Sequence, residues 1–317
     1  MLGKLNRYLT EFGILLMTAA LIAGMVGCSF PFKSLEIRTW YDLYAIWDDL
    51  AGSYILMNDL DSTTLGYEEL ASPRANEGKG WEPIGTTLIQ HHGLTTFMGT
   101  FDGQGYEIRD LFINRPDEDA VGLFGKVGQG GVIKDIRVVN AAVTGERYVG
   151  TFGIVGSGGR IEDIGVVNAT VTGDYHVGGL AGWNLHGTVS NSYSSGSVTG
   201  NYSVGGLVGA NERGTVSNSY STGRLTGNSS LSVGGLVGQN YDSEAVVNNS
   251  FWDTQTSGQA TSAGGVGKTT AQMKSVATFT GAGWNITAVA NPGARNSSYI
   301  WNIVDGVTYP FLSWQAI

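Results

Sequence analysis

The chain has 317 residues, 42% of them apolar, which is enough to bury a substantial core and excludes disorder as the default state. Charged residues make up 14%, below the roughly 25% of an average soluble protein, and Gly fills 49 positions, about double its usual ~7% share. A formal net charge of −9 without any Lys/Arg run excludes nucleic acid and an anionic lipid surface as electrostatic partners.

Residues 1–28 combine Lys4 and Arg7, an apolar run from Phe12 to about Val26, and Gly27 before Cys28, which is the layout of a secretory signal peptide. The run falls short of the ~20 residues that a spanning helix needs. Cys28 is the only cysteine, so no disulfide can form within the chain. Met25-Val26-Gly27-Cys28 resembles a bacterial lipobox, with Met where Leu is usual. That resemblance implies lipidation of Cys28, a membrane lipid anchor and an extracytoplasmic, cell-surface location. An ordinary cleaved signal and free secretion is the alternative.

Residues 29–99 read as an N-terminal cap region. Leu43, Ile46, Trp47 and Leu50 have helical spacing behind Thr39 as N-cap, with Gly52 as the stop. Asn58, Asp59 and Asp61, with Glu68 and Glu69 nearby, supply oxygen ligands for Ca²⁺. Their spacing is not that of an EF-hand loop, and turn capping explains the same residues, so Asp59 and Asp61 stand only as a weak calcium candidate.

Residues 100–262 are repetitive. AVGLFG, YVGTFG, VGGLAG, VGGLVG and VGGLVG return in order, and their closing glycines Gly125, Gly153, Gly182, Gly209 and Gly238 lie 28, 29, 27 and 29 residues apart. That period signals a solenoid; a propeller blade of four strands needs ~40 residues or more. Each motif is followed by a second pattern, such as RIEDIGVVNATVTG, and YEIRDLFIN reads as an earlier copy. Aligned, these place Asp110, Asp135, Asp163, Asn191, Asn218 and Asn249 in one column, with Ile108, Ile133, Ile161, Val189, Val216 and Val247 two residues earlier. The expected fold is all-β: a right-handed parallel β-solenoid of about six coils, its like residues stacked ~4.8 Å apart. The Asp/Asn column forms a structural ladder at a bend, and the glycines serve turns of positive φ or close coil contact.

The V-G-G-L-V-G repeats at 204 and 233 resemble those of GLUG-motif proteins. YILMNDLDS, FDGQGYEIRDL and TYPFLSW also look typical of that family's ends. The resemblance spans roughly residues 50–315 and implies a β-helical protein of the cell surface, adhesin-like and akin to repeats flanking IgA-specific metallopeptidases. It brings no catalytic residue.

Residues 263–317 form the C-terminal cap, with TTAQMKSV as a short helix and Trp284, Trp301, Tyr309, Phe311 and Trp314 closing the end of the solenoid. AGGVGKTT at 263–270 has Ser262 where a phosphate loop needs Gly and follows no buried strand, so it reads as a loop and not a nucleotide site. His91, His92, His176 and His186 include no H-E-x-x-H, so no zinc-protease motif is present. Tyr175 and Tyr202, with Tyr148 close to the same column, form a candidate binding face; Tyr193, Tyr220 and Phe251 form a second aromatic column.

These readings point to a non-enzymatic surface protein without cofactor that binds a glycan or protein, or serves as a scaffold. The rival class is a polysaccharide lyase or glycoside hydrolase using carboxylates such as Asp135, Glu162 and Asp163 beside Lys134 and Arg137.

Overall fold

The computed structural model describes residues 35–86, 96–227 and 232–315. The signal segment with Cys28, and also His91 and His92, lie outside the described residues. The repeats build a parallel β-solenoid whose strands stack in three sheets. Sheet 1 runs through Thr100–Asp102, Val132–Val139, Arg160–Thr172, Tyr193–Gly200, Tyr220–Ser221 and Phe251–Asp253. Sheet 2 stacks Lys126–Val127, Phe152–Val155, Ala181–Leu185, Val208–Glu212 and Val237–Asn240. Sheet 3 stacks Arg147–Val149, Tyr175–Gly178, Tyr202–Gly205 and Val233–Gly234.

Five turns pass from sheet 1 to sheet 2. The sixth copy departs after Asp253, whose carboxylate caps the short helix Thr254–Ser257 and turns the chain outward. The core is made of columns, as the repeat predicts: Ile133, Ile161, Val189 and Val216 pair rung by rung and are fully buried, with Val247 continuing the register.

The corners are made by left-handed residues. Asp135, Asp163, Asn191, Asn218 and Asn249 all have φ between 46° and 58°, a conformation that Asp and Asn tolerate better than other non-glycine residues. Asp110 does not belong to this ladder, and Ile108 does not belong to the Ile/Val column. Ile108 pairs with Val138, so Asp110 stands over Asn140 and Asn168 at a second left-handed corner. There Asn140 donates to the Asp110 carboxylate at 3.3 Å and Asn168 to the Asn140 carbonyl at 2.9 Å. The displacement arises because Thr100–Asp102 already fills the first rung, and a turn closed by Tyr106 N–H to Gly103 C=O adds two residues before Glu107–Arg109.

The ladder carries a hidden partner. The inward position beyond each corner changes from Ile136 and Ile164 to Ser192, Ser219 and Ser250, all buried. The Ser192, Ser219 and Ser250 hydroxyls accept from the backbone N–H of Ile164, Ser192 and Ser219 and donate to carbonyls two residues back. A buried hydroxyl is tolerable here because its bonds are complete.

Of the motif glycines, Gly178, Gly179 and Gly182 lack positive φ. They are required by close approach: a Cβ on Gly178 would lie 2.1 Å from the Ala181 carbonyl oxygen, and one on Gly182 2.3 Å from the Tyr148 carbonyl carbon. At these glycine positions the tight arc between sheets 3 and 2 leaves no room for a side chain, while Leu180 of the same arc is buried in the core.

The N-terminal cap does more than cover an end. Leu35–Ile37 and Ser53–Leu56 extend sheet 1 by two parallel rungs above Thr100–Asp102. Between them lies a helix, Trp40–Tyr44, with a capping box of Thr39 and Asp42; it passes into a 3₁₀ turn ending at Asp48, four residues before Gly52. Leu43, Ile46 and Leu50 are buried as the spacing predicts.

The C-terminal segment departs from expectation. Val266–Lys268 adds a rung beside Phe251–Asp253, and Ala263 N–H bonds the Val237 carbonyl, so residues 261–268 cover the last coil. The aromatic lobe of residues 276–315, with its own three-stranded sheet (Ile286–Ala288, Trp301–Ile303, Phe311–Leu312), packs instead along the side of sheet 1. Tyr193, Tyr220 and Phe251 point outward from the solenoid and are buried by Phe279, Trp284, Trp301 and Leu312 of this lobe. Tyr193 and Tyr220 stack at 5.1 Å, and Tyr220 donates to the Pro310 carbonyl at 2.6 Å.

Candidate functional site

The exposed corner between sheets 3 and 2 gathers a cluster of rings. Register places Tyr175 over Tyr202 and opposite Arg147, so these three form one column. Tyr148 is not in it; it heads the adjacent corner column with His176 and Ser203, all left-handed with φ of 59°, 53° and 53°. A bulky residue in this region is strained and must be held by its surroundings. Trp183 of sheet 2 does so for Tyr148, stacking at 4.9 Å and 18°. His176 leans on both rings, and Tyr241 from a later coil stacks on it at 5.7 Å with its hydroxyl 3.2 Å from His176 Nε2.

Burial holds the His176 imidazole neutral, pushing its pKa down to about 4. His176 Nδ1 and Trp183 Nε1 are buried without a hydrogen-bond partner among the described residues. Each such atom costs about 1–3 kcal/mol, a reason to look for function at this corner.

Outside the cluster, Tyr175 and Tyr202 stack face to face at 4.4 Å and 10° and remain 38% and 46% exposed. A cleft of about 400 Å³ is lined by side chains of two adjacent rungs, Glu146, Arg147 and Tyr148 from one and Tyr175 and His176 from the next. Arg147 Nε lies 3.3 Å from Asp119 and 3.7 Å from Glu146. His176, Trp183 and Tyr241 escaped sequence reasoning. The first shares a column with Tyr148 that the 28- and 29-residue spacing does not distinguish from the neighbouring Tyr175 column, and the other two come from other strands.

The Asp/Asn ladder faces a second cleft of about 240 Å³, where Asp135 and Asp163 meet Tyr299 and Trp314 of the C-terminal lobe. The Asp163 carboxyl is pushed up to about 6, first by burial and then by the Asp135 charge; Asp135 is raised chiefly by burial. Lys134 bridges Asp102 at 2.7 Å and Asp135 at 3.0 Å. Two neighbouring carboxyls, one of them raised towards neutrality, are an arrangement that acid–base catalysis can use. The same column nevertheless continues as Asn191, Asn218 and Asn249, which titrate nowhere.

Asp59 and Asp61 are engaged locally. Asp59 accepts from Glu107 N–H at 2.9 Å, and Asp61 accepts from Thr63 N–H and both neighbouring threonine hydroxyls. Among the described residues no group of three His, Cys, Asp or Glu side chains is placed to hold a metal ion. Gly267 and Lys268 of AGGVGKTT lie in the added strand, with the Lys268 ammonium 5.7 Å from the Phe251 ring centre.

Residues 173–199 and 200–226 match the family model described as the GLUG motif. The chain carries GLUG repeats. The chain superposes on a Bacteroides ovatus crystal structure described provisionally as an immunoglobulin A1 protease, with a TM-score of 0.58 and 18% identity over 90% of this chain and 93% of that one. The likeness is one of fold. Halomucin of Haloquadratum walsbyi is 33% identical over 146 residues, 45% of this chain and 2% of halomucin. An Evansella cellulosilytica protein described provisionally as a Gly-rich membrane protein is 38% identical over 69 residues, 22% of this chain and 7% of that one. The chain therefore spans only a small fraction of the length of these two relatives.

Proposed function

We propose that this GLUG solenoid is an exported, lipid-anchored protein of the cell surface that binds an external ligand through its sheet 3 corner. The observation that carries the reading is the exposed Tyr175–Tyr202 stack beside an open cleft, on a scaffold whose other outward aromatic column is buried by the C-terminal lobe. An exposed aromatic pair on a rigid frame is suited to binding, since little side-chain entropy is lost on contact. The signal layout and Cys28 support export and anchoring. A glycan and matrix-protein array probed with the purified chain tests the binding reading: hits are expected, and a silent array overturns it. Labelling with a radioactive fatty acid tests the anchor, which requires wild type to incorporate label and Cys28→Ala to lose it.

A second reading is favoured by one observation, the raised Asp163 carboxyl beside Asp135 in an open cleft: a polysaccharide-acting enzyme. Release of reducing ends or unsaturated products from a polysaccharide panel, abolished in Asp163→Ala, would establish it.

A further inference from the structure

We propose that the cleft lined by side chains of the Arg147 and Tyr175 rungs is a subsite for one uncharged pyranose unit of a polysaccharide, with Tyr175 as its platform. The proposal rests on the binding reading above and gives its site a ligand class.

Tyr202 covers one face of the Tyr175 ring, stacking on it at 4.4 Å. On its other side Tyr175 has the rung of Arg147, its register partner, and side chains of both rungs line the cleft of about 400 Å³, which lies within the size range of small-ligand sites. The C–H face of a pyranose is apolar and packs on such a ring, while its equatorial hydroxyls need donors and acceptors at the edge. Glu146 supplies acceptors and Arg147 donors, both with exposed side chains on the cleft wall. The platform is stiff, because Tyr175 is stacked on Tyr202 and both sit on rungs fixed by the parallel ladder.

Charge selects the class. Glu146 lines the cleft, Asp119 pairs with its wall residue Arg147, and Asp174 immediately precedes Tyr175; their charge opposes a uronate or sulfated sugar, as does the chain's net charge of −9. A cation is opposed at the ring itself by Arg147, the register partner of Tyr175. Burial keeps His176 neutral, so the back wall adds no charge. An uncharged sugar is the ligand that meets no opposing charge on either wall.

The test is affinity electrophoresis and calorimetry of the full-length chain against a β-glucan, an α-mannan and a galactan, with polygalacturonate and chitosan as charged arms. Binding to at least one neutral polysaccharide is expected, insensitive to molar salt and weakened about tenfold or more in Tyr175→Ala and in Glu146→Gln. Tyr106→Ala, at an exposed tyrosine elsewhere, is expected to bind as wild type, and circular dichroism reports whether each variant is folded. Binding confined to polygalacturonate or chitosan overturns the proposal, as does neutral-glycan binding that Tyr175→Ala leaves intact; both leave the surface-binding reading standing. Silence against all five polysaccharides together with protein hits on the wider array also overturns this subsite alone, whereas a wholly silent array removes both.

Discussion

Asp163 stands one rung from Asn191 at the same left-handed corner, with φ of 58° and 48°, so a carboxylate and an amide occupy equivalent places in one ladder. The folded-state pKa of Asp163 is raised from 3.8 to about 6, so its favourable contribution is present below the unfolded value and is lost as pH rises through 6. Asp163→Asn keeps the corner geometry and removes the buried charge. It is expected to raise stability by roughly 1–2 kcal/mol at pH 7.5, after allowance for solvent screening, and by almost nothing at pH 3.5. Urea unfolding at the two pH values measures this; an equal effect at both would refute the electrostatic account.

His176 behaves in the opposite sense. Its folded pKa is lowered from 6.5 to about 4, so the unfolded chain takes up the proton first and stability is lost as pH falls from 6.5 towards 4. Wild type should lose roughly 2–3 kcal/mol across that window from this group, and His176→Gln should flatten the slope. The pH dependence of the urea midpoint in the two proteins checks it.

Gly178→Ala forces a Cβ to 2.1 Å from a carbonyl oxygen and 2.6 Å from the Gly209 amide nitrogen, both backbone. Neither atom can move without opening a rung, so a loss of roughly 3 kcal/mol or more is expected. Gly130→Ala is the informative contrast, since its Cβ meets nothing within 4 Å and only its φ of +89° opposes the change; it should cost no more than about 1–2 kcal/mol. Thermal melts of the pair separate steric conflict from backbone strain.

The lobe of residues 276–315 is held on sheet 1 partly by the Tyr220 hydroxyl, which donates to the Pro310 carbonyl at 2.6 Å within the apolar contact. Tyr220→Phe leaves that carbonyl without its donor and should cost about 1–2 kcal/mol. Limited proteolysis is expected to cut faster within 276–315 while the repeats stay protected. Uniform acceleration along the chain would show that lobe and solenoid open as one unit.

Much of this architecture is legible in the sequence because a parallel stack repeats one local environment. Every 27 to 29 residues the same position needs the same side chain, so Ile133, Ile161, Val189 and Val216 and the corner residues Asp135 to Asn249 could be aligned without coordinates. The alignment failed at Asp110, where the chain enters the solenoid and a two-residue turn shifts the register. It also blurred Tyr148 with the Tyr175 column, since a one-residue offset between adjacent columns lies within the variation of the repeat.

The sequence alone determined the repeat, the inward columns and the residue types able to turn the corners, since these are local demands met again in each coil. Only the tertiary structure decided which outward aromatic column stays open. Tyr193 and Tyr220 alternate away from the core as outward-facing tyrosines do, and they are buried solely because a lobe some hundred residues later folds back over them, with Gln315 reaching the Tyr193 hydroxyl across 122 residues. Burial of an outward face is set by what packs upon it, and that partner has no periodic signature in the chain.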